Sequence, residues 1–314
     1  VSIAAYLLVY SLAVIVLGPS LLGFLTRSGH APKSGVAAWL IAIGSVILTG
    51  LASVLLVISD VIAHWRQRNS IVVSCIRFVC DLAAGREGLV PQVLLTTILG
   101  AVVVGIAMVG IRFILTIARL RIHAHGHSRA VRMVGRPTAE PGVYVVDAAE
   151  RTAYCVGGKP PTIVVTTATL DALASPEVKA VLAHERAHLD GHHLLIVTLL
   201  RGLAAALPRL RLVTRGALEV PRLLEMCADD VAARRHGRGP LLAGLLALAG
   251  GAPAAAMGAA DVAALTRAER LAVPPAHSVR VRAQAALTSA ATIIAVAPLG
   301  TLMLAASGIF VCSG

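Results

Sequence analysis

Long stretches without a charged side chain recur along this sequence, separated by short basic segments. Four of them, residues 1–26, 34–59, 88–111 and 283–314, contain no Asp, Glu, Lys or Arg. Each exceeds the roughly 20 residues that a helix needs to cross a hydrocarbon core of about 30 Å. The pattern predicts three spans within residues 1–111 and a fourth within 283–314. The first stretch has no basic segment ahead of it and an apolar run too long for a secretory signal, so we read it as a retained span.

Between these spans, residues 112–282 have a different texture. The basic run from Arg121 to Arg136, with His123, His125 and His127 among small residues, reads as a solvated flank beside the bilayer rather than a metal-binding strand. Two β-branched segments, 142–146 and 162–167, are separated by Gly157, Gly158, Pro160 and Pro161, which predicts strands joined by turns. Ser175, Pro176 and Glu177 have the composition of a helix start, with Ser175 as cap, and that helix is expected to run through His188 and stop near Gly191. A short apolar helix follows over 194–200. Another is predicted over 220–235, with Arg234, Arg235 and His236 suited to its carbonyl end and Gly237 terminating it. The uncharged run 241–260 is just long enough to span a bilayer, but Gly250, Gly251 and Pro253 favour a packed hairpin. The predicted fold class is a mainly α-helical polytopic membrane protein with an inserted α+β domain over 112–282.

Composition agrees with the membrane reading. The chain is 57% hydrophobic and only 14% charged over 314 residues, too apolar for an ordinary soluble protein. Its net charge of +12 raises the question of nucleic acid. Arg112, Arg119, Arg121, Arg129, Arg132 and Arg136, however, crowd against the end of a span, as cytoplasmic flanks facing anionic lipid do, so direct nucleic-acid binding is not expected. Arg27 and Lys33 put the first loop on the same cytoplasmic side as residues 112–282, which leaves both ends and loop 60–87 outside. Arg66, Arg68, Arg77 and Arg86 in that loop weigh against this orientation. Cys75, Cys80, Cys155, Cys227 and Cys312 form no Cys-x-x-Cys pair and are odd in number, which argues against a zinc ribbon or a complete disulfide framework. Cys75 and Cys80 read as two thiols rather than a bridge.

The segment His184-Glu185-Arg186-Ala187-His188 carries the chemistry. On a helix, this spacing sets both imidazoles on one face, one turn apart, where they can meet a single zinc ion. Glu185 then stands beside the metal without binding it, positioned to take a proton from water and pass it to a leaving amine. Catalytic zinc keeps three protein ligands, and His192 and His193 are too close in sequence to supply the third. Glu225 is the better candidate. Asp229, four residues on, shares its face and is expected to accept a hydrogen bond from a ligating histidine. The alternative for this pair is a solvated acidic face, which the neighbouring Asp230 keeps open. His277, after Pro274 and Pro275, is a candidate for stabilising the tetrahedral oxyanion, although with Arg280 and Arg282 it also reads as a basic membrane flank.

The run Ile163-Val164-Val165-Thr166, Leu170, Leu173, Val181-Leu182-Ala183-His184-Glu185-Arg186-Ala187-His188 and Glu225-Met226-Cys227-Ala228-Asp229 resembles the integral-membrane gluzincins. HtpX and the CAAX prenyl proteases share these motifs but insert spans soon after the histidines. Three spans, a zinc domain and a terminal span are more similar to the BlaR/MecR branch of antibiotic-sensing transducers. That resemblance implies one zinc per chain and a cytoplasmic catalytic domain in the inner membrane of a bacterium. It also implies a protein substrate, a winged-helix repressor of the BlaI/MecI type, cleaved directly or indirectly. Sensors of that branch continue into an extracellular penicillin-binding domain, whereas this sequence ends at Gly314, so acylation by a β-lactam is not expected. An HtpX-like quality-control protease and a non-catalytic metal-binding transducer remain as alternatives, and self-association is left open.

Overall fold

The computed structural model of the protein describes residues 3–66, 89–249 and 259–306. Apolar composition produces the long helices α1 (Ile3–Thr26), α2 (Pro32–Arg66) and α3 (Leu89–Val134). Among the described residues, 6–26, 32–56, 100–134 and 277–300 are the four segments long and apolar enough to cross a membrane. Tight packing joins the first two to the helix over 277–306 around Leu22, Trp39, Ala42, Leu287 and Ile294. Polar groups also join them: the Tyr10 hydroxyl donates to the Ile294 carbonyl at 2.6 Å, and Ser11 meets Thr49 at 2.7 Å. Such bonds hold helices together where no water competes. By contrast, α3 leaves Val103, Val104, Met108, Ile111 and Ile114 at least half exposed. A surface this apolar is what a helix crossing hydrocarbon presents.

Beyond its apolar half α3 does not stop, and the basic run predicted as a flank continues it to Val134. His123, His125 and His127 therefore sit on a helix, where alternate positions diverge; His125 Nδ1 meets the Arg121 carbonyl at 2.7 Å and His127 Nε2 the Tyr154 hydroxyl at 3.0 Å. A four-stranded sheet follows: β1 (Arg136–Pro137), β2 (Val143–Val146), β3 (Ala153–Val156) and β4 (Thr162–Thr166), in the order β1-β2-β4-β3. β2 runs parallel to β4, the other pairs are antiparallel, and β3 is an edge. Side-chain alternation turns Ile163 and Val165 toward Leu182 on one face and Val164 and Val156 toward Val131 of α3 on the other.

The remaining elements are α4 (Thr167–Ala172), α5 (Ser175–Asp190), α6 (His193–Ala206), α7 (Arg211–His236), α8 (Arg238–Ala249), α9 (Ala259–Ala272) and α10 (His277–Ala306). Ser175 is not the cap of α5. The helix starts after Ala174, whose N–H donates to the Glu177 carboxylate at 2.8 Å, so the acid expected in the first turn closes the helix end by itself. α7 begins nine residues before the predicted 220 and carries Pro221 inside it. Of the run 241–260, residues up to 249 complete α8; Gly250, Gly251 and Pro253 lie outside the described residues, as do Cys75, Cys80 and Cys312.

α7 belongs to two layers at once. Its buried Leu212, Val213, Val220, Leu223 and Met226 join the core built by Trp39 of α2, while its other face meets α5. The turn between α1 and α2 is held against it. Arg222 donates to the Thr26 carbonyl at 2.8 Å, and Arg270 of α9 to the Gly29 carbonyl at 3.1 Å. Gly29 has φ of +63°, and a Cβ there would come within 2.3 Å of Met226 Sδ. Gly29→Ala is therefore expected to cost about 1–3 kcal/mol and to lower the thermal unfolding midpoint of the purified protein by several degrees. An unchanged midpoint would show that the turn is not clamped against α7.

Candidate metal centre

A buried stretch of α5 brings His184, Glu185 and His188 against α7. The two histidines are one turn apart and point the same way, with Nε2 atoms 3.1 Å from each other. Glu225 of α7 completes the group: its Oε2 lies 3.4 Å from His184 Nε2 and its Oε1 3.4 Å from His188 Nε2. An ion about 2.0–2.1 Å from each of two donors at the tetrahedral angle would separate them by about 3.3 Å. The three contacts match that edge length, and two nitrogens with one carboxylate oxygen form a donor set suited to zinc.

Charge around the site also favours a cation. Burial alone would keep His184 neutral, yet contacts with Asp229 and Glu225 overcome it and push its pKa up to about 9. Asp229 is fully buried, and its Oδ1 approaches His184 Nδ1 at 3.1 Å. The approach lies off the N–H direction, so Nδ1 is a buried nitrogen without a well-formed hydrogen bond. A proton on Nδ1 facing this carboxylate leaves Nε2 free as a donor to metal. Burial raises the Glu225 carboxyl, but hydrogen bonds with His184 and His188 reverse the effect and hold it well below the usual carboxylate range. Glu185 shifts the opposite way: burial pushes it up, only partly offset by the two imidazoles, which makes it a better proton acceptor than a solvated carboxylate.

His184, Glu185, His188, Glu225 and Asp229 thus come together as the spacing predicted, and the solvated acidic face is set aside. Asp229 is inside, and Asp230 is paired with Arg270 at 2.8 Å. His277 is not brought in. It is exposed at the first position of α10, after the helix is interrupted at Pro274 and Pro275, and does not line the cavity before Glu185.

The cation that reaches the site is Arg267 of α9, which sequence reasoning passed over. Its Nε and Nη2 clamp the two Asp229 oxygens at 2.8 Å each, and its Nη1 lies 3.1 Å from Glu225 Oε2. Nothing in its local sequence separates it from other helix arginines. His193, rejected as a ligand, has a different place: its Nδ1 meets His188 Nδ1 at 2.9 Å. Burial and the neighbouring His188 lower its pKa to about 4, so it backs the His188 ring as a neutral group. His192, in the left-handed conformation with φ of 53°, turns the chain so that His193 folds back. Cys155 of β3 faces Glu185, and burial pushes its thiol up, which keeps it protonated.

In front of the site lies a cavity of about 440 Å³, walled by β3 on one side and by Val181, Leu194, Leu241, Leu245 and Leu248 on the other. Neither the curated proteins nor the solved structures include a match to this chain. The model of peptidase family M48 matches residues 117–283, from the basic half of α3 through the sheet and both ligand-bearing helices to the start of α10. With that match covering more than half of the sequence, and with the histidine pair, Glu185 and Glu225 converging inside it, the chain belongs to peptidase family M48, a family of zinc metallopeptidases.

Proposed function

We propose that this protein is a membrane-embedded zinc endopeptidase, with the convergence of His184, His188 and Glu225 beside Glu185 as the observation that carries the reading. His184, His188 and Glu225 would hold the ion. When bound, zinc supplies a Lewis acid that polarises the scissile carbonyl and acidifies the attacking water. Glu185 removes a proton from that water as its oxygen bonds to the carbonyl carbon. It then delivers the proton to the amide nitrogen as the carbon–nitrogen bond breaks, and the new carboxylic acid gives up its proton to the released amine, leaving a carboxylate and an ammonium group. Asp229 orients His184, His193 steadies His188, and Arg267 fixes Asp229 and Glu225 relative to each other. Arg267, rather than the His277 that the sequence offered, is the cation that lines the cavity before Glu185.

The unpaired edge of β3 suits an extended peptide, which adds as one more strand. Leucine side chains across the cavity favour an apolar residue next to the scissile bond. We read the protease as regulatory, acting in the inner membrane of a bacterium on a cytoplasmic repressor of the BlaI/MecI type. The order of elements supports this reading: three long apolar helices precede the metal domain and one follows. Between the two ligand-bearing helices, α6 has only 14 residues, too short to cross a bilayer, unlike the layout of HtpX-type enzymes.

Glu185→Gln is expected to keep about one zinc per chain while lowering kcat/KM by roughly 10²–10⁴-fold, the usual contribution of a general base. Loss of zinc together with activity would assign Glu185 a ligand role instead. Arg267→Met should lower the unfolding free energy by about 3–5 kcal/mol, because Asp229 would stay buried without its partner; His277→Ala should change neither stability nor kcat/KM. A reversed order of these two effects would restore His277 to the site. In cells, comparison of wild type with Glu185→Gln should reveal one small DNA-binding protein that persists intact in the variant. Accumulation of many unrelated membrane proteins would favour quality control, and none at all a non-catalytic transducer.

A further inference from the structure

A second cavity, of about 470 Å³, lies along the last turns of α7, from Asp230 to Gly237. Arg234, Arg238, Arg270 and Arg280 line it, and Asp230 is the one carboxylate. Asp230 is already neutralised, since both its oxygens accept hydrogen bonds from Arg270 at 2.8 and 2.9 Å. Among the described residues, no group pairs with the guanidinium of Arg234, Arg238 or Arg280.

Arg234 needs no ligand to explain it, because it lies in the last turn of α7, where a cation complements the carbonyl end of the helix. Arg238 and Arg280 have no such reason. They stand in the first turns of α8 and α10, at the positive ends of those helices, where a basic side chain is disfavoured unless an anion is near. Two such arginines therefore face one cavity beside a third and a buried fourth. Gathering these like charges around open space is unfavourable without a counter-charge.

We propose that this cavity binds a phosphate group. Arginine suits phosphate oxygens because its planar donors engage two at once. Arg280 stands at the start of the apolar segment 277–300, at the level where a bilayer presents its headgroups, so the phosphate can belong to an anionic lipid or arrive free in solution. Arg270 ties the cavity to the metal centre. It joins Asp230, the neighbour of Asp229, to the Gly29 carbonyl in the turn between the first two long helices.

The test uses the full chain in nanodiscs of phosphatidylcholine, alone or mixed with phosphatidylglycerol, and reads the unfolding midpoint and retained lipid phosphorus. The variants are Arg238→Gln/Arg280→Gln, the single Arg280→Gln in case the pair misfolds, and Arg119→Gln/Arg121→Gln, which removes the same charge from α3. Phosphatidylglycerol should raise the midpoint of wild type and of the α3 variant but not of the cavity variants. Binding should weaken about tenfold per arginine removed, the loss of one hydrogen bond to a charged group. A rise produced by inorganic phosphate in phosphatidylcholine discs at matched ionic strength, and lost in the cavity variants, would identify free phosphate as the source. No response to either, or equal loss in the α3 variant, would overturn the site.

Discussion

Two carboxylates on one face of α7, Asp229 fully buried and Glu225 half-buried, meet two histidines of α5, and the rest of this structure depends on that contact. Asp229 would not stay ionised inside the protein unless positive charge met it, and Glu225 beside it adds to the same demand. Arg267 supplies part of it from α9, and the geometry of His184, His188 and Glu225 leaves room for the rest as a divalent ion. The crossing of α5 and α7 is thus fixed by charge as well as by packing.

The same helix carries this demand into the layer of long apolar helices. α7 packs its apolar side on Trp39 and Leu22 while its polar side faces the metal centre, so the long helices and the catalytic layer share one core. Arg222 and Arg270 bind the turn between α1 and α2 to the same few residues of α7. A displacement of that turn is therefore felt one helical turn from Glu225. Gly29, with positive φ and packed on Met226, leaves the turn little freedom to move alone.

Much of this was legible in the sequence because it rests on local patterns. Uncharged runs marked the four long helices, and a spacing of four residues within α5 and again within α7 put each pair of site residues on one face. Glu225 was within reach for the same reason, since its own helix also carries Asp229. Arg267 was not, because its role arises only where α9 crosses α7, a contact that no spacing encodes. Pro221 concealed the first turns of α7, which tertiary packing on Trp39 maintains across the missing N–H. β3 is four residues long and mixes Tyr154 and Cys155 with small apolar residues, so its pairing with β4, rather than its composition, makes it a strand. His277 looked chemical because of its type, but the prolines before it turn it outward.

The most direct test is zinc-edge X-ray absorption on the purified, zinc-loaded protein. The account predicts a four-coordinate ion with nitrogen and oxygen neighbours at about 2.0–2.1 Å, two of them with the outer-shell scattering of imidazole, and loss of one oxygen neighbour in Glu225→Ala. A sulfur neighbour at about 2.3 Å, or a shell unchanged by that substitution, would contradict it.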